Sequence, residues 1–365
     1  MGKLLEVIKH ERVYAVLLFL VVAVNVMAVA DMLGERSVVT GIPGLPRTSS
    51  SGPEDFREGE TRKMFDLSEA SERQKRVEEL SKEDPLLYFF IAVLNLAILF
   101  AIMLGLGLDI LLAARRIRGE KLDIRLAGVE EPAWNVPDVL RVVILFLFSG
   151  YVFAFFQTVI SEKFPVLRNM NFRMVSDTAF MNLAAISVIL YFVFRKYSQT
   201  RSAIGLAPIS PLKAVVTAAA GYLAVLPVLT ATMVLTFLLM RKIGYEPPVQ
   251  PIVEVFMEEK EGGVLLVSAL FAAIFGPVAE EVFFRGFMYP AVRKKWGVAA
   301  GIIGTSVIFS ALHTHMAGFL PIMILGMLLA YLYERTGSLL VPMAVHMAHN
   351  IGMVFMVFIM RIIEA

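Results

Sequence analysis

The chain has 365 residues, 58% of them hydrophobic, with a mean hydropathy of +0.72 and a formal net charge of +2. That apolar share exceeds the roughly 45–50% of soluble domains, and a near-neutral chain without a basic, aromatic-interleaved stripe does not suit nucleic acid as a partner. Cysteine is absent, which excludes disulfides, thiol nucleophiles and cysteine-ligated zinc.

Apolar runs of about 18 residues or more, enough to cross a hydrocarbon core of ~30 Å, recur along the chain. They predict nine spans near 13–32, 86–114, 138–160, 177–194, 214–240, 263–290, 298–314, 319–334 and 338–361. The expected fold class is all-α: a polytopic helical membrane protein of about eight to nine transmembrane helices. The first run is longer than the roughly 7–15 residues of a signal-peptide core, so residues 1–32 read as an N-terminal transmembrane helix.

Residues 33–85 form a polar insert. Its first part, GIPGLPRTSSSGPED, has linker composition. Its second part mixes charges with helix formers and reads as an exposed or interfacial helix. Residues 86–200 supply further transmembrane helices, and residues 201–365 form the region that carries the chemistry. A second polar stretch, KIGYEPPVQPIVEVFMEEKEGG, precedes the sixth span. Its Pro-Pro pair cannot continue a helix, so an external hairpin or surface helix is expected.

Lysine and arginine set the orientation. The connections at 115–135, 195–213, 291–297 and 335–337 together hold 13, and those at 161–176, 241–262 and 315–318 hold 6. The N-terminus is therefore expected in the cytoplasm, in a prokaryotic plasma membrane.

Within the sixth span stands PVAEEVFFRG, residues 277–286. A charge at membrane depth costs about 2.5–3.5 kcal/mol on insertion scales. Glu281 and Arg285 are spaced i, i+4 and share a helix face, so each offsets the other's burial. Glu280 points about 100° away with no local partner, which makes it the candidate general base. Gly276 and Pro277 predict a kink and a freed carbonyl just before it.

Four of the five histidines fall in the last 53 residues. His313 closes FSALH, with His315 two residues on; His346, His349 and Asn350 share VHMAHN. Polar groups at this depth face a bundle interior or a wet cavity. A glutamate with a histidine can deprotonate water, and a second histidine with an amide can hold an oxyanion. The same donors could instead bind zinc. HExxH, GxSxG and GxGD signatures are absent. For the cytoplasmic side as the opening of the site, the cue is the basic cluster after Glu280.

EEVFFR (280–285), FSALH (309–313) and HMAHN (346–350) resemble, in order, the EExxxR, FxxxH and HxxxN-type motifs of the CPBP family, the CAAX-protease and bacteriocin-processing (Abi) membrane proteins. RSAIGLAP (201–208) resembles the short loop common before that family's core. The resemblance covers about 200–365. It implies a glutamate-type intramembrane endopeptidase that needs no metal, in which Glu280 activates water with His313 assisting. His346 and Asn350 would form the oxyanion site, with Glu281 and Arg285 supporting. His315 and His349 lie outside the motifs and read as structural.

The expected partners are a peptide or membrane-protein substrate and the lipid bilayer, with the oligomeric state open. The alternatives are a catalytically inactive scaffold or bacteriocin-immunity-type protein, or a zinc-dependent version of the protease. A proton-coupled transporter would call for internal repeats, and none is visible. Convergence of the motif residues requires the sixth span to continue as one long helix to about residue 294.

Overall fold

The computed structural model describes residues 12–38, 67–120, 128–245, 250–313 and 316–364; side chains of 27–38, 67–74 and 364 are outside that description. The described residues are helical, and among them a single β-bridge joins Leu206 to Ser338. In chain order the helices are α1 Arg12–Val38, α2 Leu67–Glu83, α3 Pro85–Ile117, α4 Val136–Ile160, α5 Met170–Leu190, α6 Pro211–Ile243, α7 Pro251–Glu258, α8 Gly262–Leu312, α9 Phe319–Thr336 and α10 Leu340–Glu364. Among the described residues seven helices are long and apolar enough to cross a membrane, with Arg12–Val26 a shorter apolar run. The protein is a polytopic helical membrane protein.

The difference between nine expected spans and these seven lies at two places. The first span is only partly described. The sixth and seventh are one helical run, α8, broken at Gly297, whose φ of 84° and ψ of 172° no helix accommodates. The limb 262–296 is thus continuous past residue 294, as convergence of the motifs requires. The polar insert contributes α2, which packs on α3 and α10; its linker part lies outside the described residues. The stretch before α8 forms the surface helix α7, which buries Val255 and Phe256.

Local chemistry fixes several helix starts. Asp84 accepts from Leu87 N (3.0 Å) ahead of Pro85, the first residue of α3. Asn135 and Asp138 form a reciprocal capping box at α4. Asp138 is fully buried and is also held by Tyr197 Oη (2.6 Å), Lys196 Nζ (3.0 Å) and Arg141. Those contacts tie the start of α4 to the π-turn Tyr191–Lys196 that continues α5, on the lysine- and arginine-rich side.

The core sits where the limbs of α8 meet α9 and α10. Phe284, Phe287, Tyr289, Phe309, Tyr333 and Leu339 are all buried there. The loop 201–208 wedges into it. Gly205 adopts φ 77° against the Tyr333 ring, its carbonyl accepts from Leu339 N (2.8 Å), and Ile204 packs on Gly286. A Cβ on Gly205 would lie 2.4 Å from Tyr333, so only glycine fits this turn.

Candidate active site

The first limb of α8 is not a regular α-helix. Tighter α-turns give way to π-turns at Phe271–Phe275 and Val282–Met288, one on each side of the Glu280–Glu281 turn. Such wide turns recur at functional sites because they free backbone groups and re-aim side chains. The first has a legible cause. Gly276 N bonds Phe271 O in the wide register. The next donor in that register would be Pro277, which has no N–H, so the carbonyl of Ala272 loses its helical partner. Asn350 Nδ2 from α10 supplies the missing donor at 2.9 Å.

Glu281 is completely buried and Arg285 is 1% exposed. Arg285 Nη1 donates to Glu281 Oε1 (2.7 Å) and Nη2 to the Gly326 carbonyl of α9 (3.2 Å). Gly326 lets α9 approach the second limb of α8 closely: a Cβ there would meet Ser306 and Phe309 at 3.2–3.3 Å. The guanidinium also lies 4.6 Å from the Phe309 ring centre. The i, i+4 pairing expected from sequence is therefore present. It has a second partner that spacing could not reveal, because His346 Nδ1 also lies 2.8 Å from Glu281 Oε1.

That contact fixes the imidazole. A carboxylate only accepts, so Nδ1 carries the proton and Nε2 is turned outward. Nε2 faces Glu280 Oε2 at 3.7 Å. His346 thus stands between the two glutamates, bonded to the buried one and opposite the other. Glu280 retains 33% side-chain exposure. The expectation of an unpaired buried Glu280 is corrected accordingly: the fully buried carboxylate is Glu281, and Glu280 opens toward the surroundings opposite His346. The Arg285 charge balances Glu281, which leaves Glu280 as the uncompensated acid of this cluster.

His313 ends the second limb of α8. Its Nδ1 lies 2.8 Å from the Phe309 carbonyl, so Nδ1 donates here too and Nε2 faces away. His313 reaches the cluster through a ring. Phe309 lies edge-on to His313 (centroids 4.7 Å) and to His346 (5.7 Å). This gives a physical reason for phenylalanine four residues before the histidine. Glu280, Glu281, Arg285 and His346 are therefore in one cluster, and His313 is joined to it by Phe309. Asn350 stands one turn from His346 on α10, with one amide hydrogen on Ala272 O and the second unassigned. His349 Nδ1 lies 3.1 Å from Tyr222 Oη of α6, a partner that sequence reading missed because nothing local marks Tyr222. His315 lies outside the described residues. No group of three or more His, Asp or Glu side chains among the described residues is arranged to hold a metal ion.

Comparison with known proteins places this cluster. Residues 262–352 match the family model "Type II CAAX prenyl endopeptidase Rce1-like". An Escherichia coli protein described as an "Uncharacterized 24.3 kDa protein" is 28% identical over 114 residues, 30% of this chain and 52% of that protein. A Bacillus subtilis protein named "Putative membrane peptidase YdiL" is 35% identical over 86 residues, 23% of this chain and 35% of that protein. The matches thus span about half and about a third of these relatives. No solved structure matches. The residues matched by the family model run from the start of α8 into α10 and contain Glu280, Glu281, Arg285, His313, His346 and Asn350.

Proposed function

We propose that the protein is an intramembrane endopeptidase that hydrolyses a peptide bond near the membrane with a water molecule activated by Glu280. The observation that carries this reading is His346 held between two glutamates, with Nδ1 on Glu281 and Nε2 toward Glu280. The similarity of 262–352 to a peptidase family supports it. Glu280 takes a proton from water as the water oxygen bonds to the scissile carbonyl carbon. His346, with a proton on each ring nitrogen, donates Nε2–H to the oxyanion while its Nδ1–H stays on Glu281. The second amide hydrogen of Asn350 is the other candidate donor. Glu280 then returns the proton to the departing amine as the C–N bond breaks. His313, with Nδ1 committed to a carbonyl, presents Nε2 to the same water. Arg285 acts through Glu281 and touches no reacting atom.

Substrates of this chemistry are membrane-proximal peptides, either prenylated CAAX-type tails or other C-terminal membrane tails. Placement in a prokaryotic plasma membrane with the N-terminus in the cytoplasm belongs to the same proposal and rests on the lysine and arginine asymmetry. No metal is required. A zinc-assisted version would call on the same Glu280 and His346.

The test is cleavage of a panel of membrane-tail peptides by purified protein in detergent, with and without chelator. Activity indifferent to chelator and abolished by Glu280→Ala supports the proposal. Loss with chelator and recovery with zinc replaces it by the metal version. No cleavage, with Glu280→Ala retaining the cellular phenotype, replaces it by a scaffold or immunity role.

A further inference from the structure

The loop before α6 has two faces. Its inner face is the wedge in the core, where Ile204 and Gly205 are buried against Gly286 and Tyr333. Its outer face lines an open pocket of about 440 Å³ with Thr200, Arg201, Ser202, Leu206, Pro208 and Leu340. The pocket lies beside the starts of α6 at Pro211 and of α10 at Leu340. Both starts follow connections on the lysine- and arginine-rich side of the bundle.

The polar part of this lining is a set of donors. The Arg201 guanidinium offers N–H groups and accepts nothing. Arg201 is exposed and makes no ion pair among the described residues. Thr200 Oγ1 and Ser202 Oγ lie 2.6 Å apart. One of their two hydroxyl hydrogens bridges the pair, and the other is left for a ligand. No acidic side chain lines the pocket, and no aspartate or glutamate stands between Asp177 and Glu246 in the sequence. Arg195 and Lys213, both exposed, flank the loop and add to its positive field. Such a site suits an anion whose oxygens only accept, and a guanidinium fits phosphate in particular.

The apolar part decides which phosphate. Leu206 and Leu340 rim the pocket and are exposed. Just past it, Leu212, Val215 and Val216 share one face of α6 at 74%, 61% and 58% exposure. A soluble phosphate gains nothing from that surface, whereas a phospholipid can lay its acyl chains along it. A choline head would also bring a cation to a pocket with no acid to receive it. We propose that this pocket binds the phosphate of an anionic phospholipid through Arg201 and the Thr200–Ser202 hydroxyls, with the acyl chains against the outer face of α6. Basic pockets between membrane helices are suited to such heads. The site is separate from the Glu280 cluster and does not rest on the proposed function.

The full chain in detergent micelles is titrated with phosphatidylglycerol and, separately, with phosphatidylcholine, and the complex with one lipid is counted by native mass spectrometry. Phosphatidylglycerol is expected to bind at least about ten-fold more tightly than phosphatidylcholine, and Arg201→Gln to remove about ten-fold of that affinity. Arg241→Gln, which removes an exposed arginine at the other end of α6, should bind as the parent does. Melting curves check the fold. Should Arg201→Gln fail to fold, Ser202→Asp, which sets an anion in the pocket, is expected to give the same loss. Equal affinity for the two lipids overturns the site, as does an Arg201→Gln protein that binds phosphatidylglycerol like the parent. Displacement of the lipid by glycerol phosphate overturns the choice of a lipid and makes the pocket a site for free phosphate. Because no cleavage is read, the result stands whether or not any peptide is cut.

Discussion

Helix α3 and the first limb of α8 are both long and apolar, yet they are used differently. Of the strongest apolar window, 11% is buried in α3 and 33% in α8. In α3 only Ile91 and Gly105 are buried, and Leu96, Leu99 and Phe100 are exposed along its length. The limb of α8 buries nearly every residue from Gly276 to Ala291, including an ion pair. Lipid serves α3 as solvent, so its side chains need only be apolar. α8 is surrounded by protein on several sides, and there a charge can be paired, a carbonyl re-bonded and an imidazole fixed. Apolar character thus marks a span, and burial within the bundle marks the part that can hold chemistry.

The largest expected effect breaks the buried pair. Arg285→Ala leaves Glu281 as a buried charge without its cation, at a cost of roughly 3–5 kcal/mol. Leu99→Ala on the lipid face of α3 should change stability by less than about 0.5 kcal/mol. Thermal unfolding in detergent compares them, and equal losses would erase the distinction between the helices.

Next comes the one point where α3 is tightly built. A Cβ on Gly105 would lie 2.1 Å from the Leu223 carbonyl oxygen of α6. That carbonyl lacks its helical donor because residue 227 is proline. Gly105→Ala must push α3 from α6 and should cost about 1–3 kcal/mol. Gly107→Ala, with nothing within 4 Å, should be neutral or should gain about 0.5–1 kcal/mol. The same melting curves check both.

The smallest effect lies outside the membrane. Hydrogen bonds from Asn171, the Glu261 N–H, Asn169 and the Lys260 N–H hold the Glu259 carboxyl down at about 2. A depressed folded-state value means stability that is fully present above the ordinary carboxylate range near 4.5 and is lost as pH falls toward 2. Glu259→Gln should therefore lower stability in the neutral region and flatten the acid limb, so that its curve meets the parent's as pH falls toward 2.

Local spacing carried much of this arrangement and stopped where contacts became distant. The spans follow from apolar run length, and the Glu281–Arg285 pair from one helical turn. The freed carbonyl near Pro277 follows from the missing N–H. Position 297, in the basic stretch between two spans, is where α8 bends. No period links Glu281 to His346, 65 residues on, or Asn350 to Ala272, 78 residues back. The burial of Glu281 rather than Glu280 was illegible for the same reason. Adjacent residues of one composition are separated only by which side of α8 meets α10. The Asp138 knot likewise needed the π-turn that continues α5, 58 and 59 residues away.

The central claim is a division of labour between neighbouring glutamates, and one paired measurement tests it most directly. Glu280→Gln and Glu281→Gln are each assayed for thermal stability and for the rate of cleavage of a peptide that the unmodified protein cuts. The account predicts that Glu280→Gln melts with the parent and loses about 10²–10⁴-fold in rate, while Glu281→Gln melts clearly lower because Arg285 loses its buried partner. A Glu280→Gln protein that cleaves at the parental rate would contradict it.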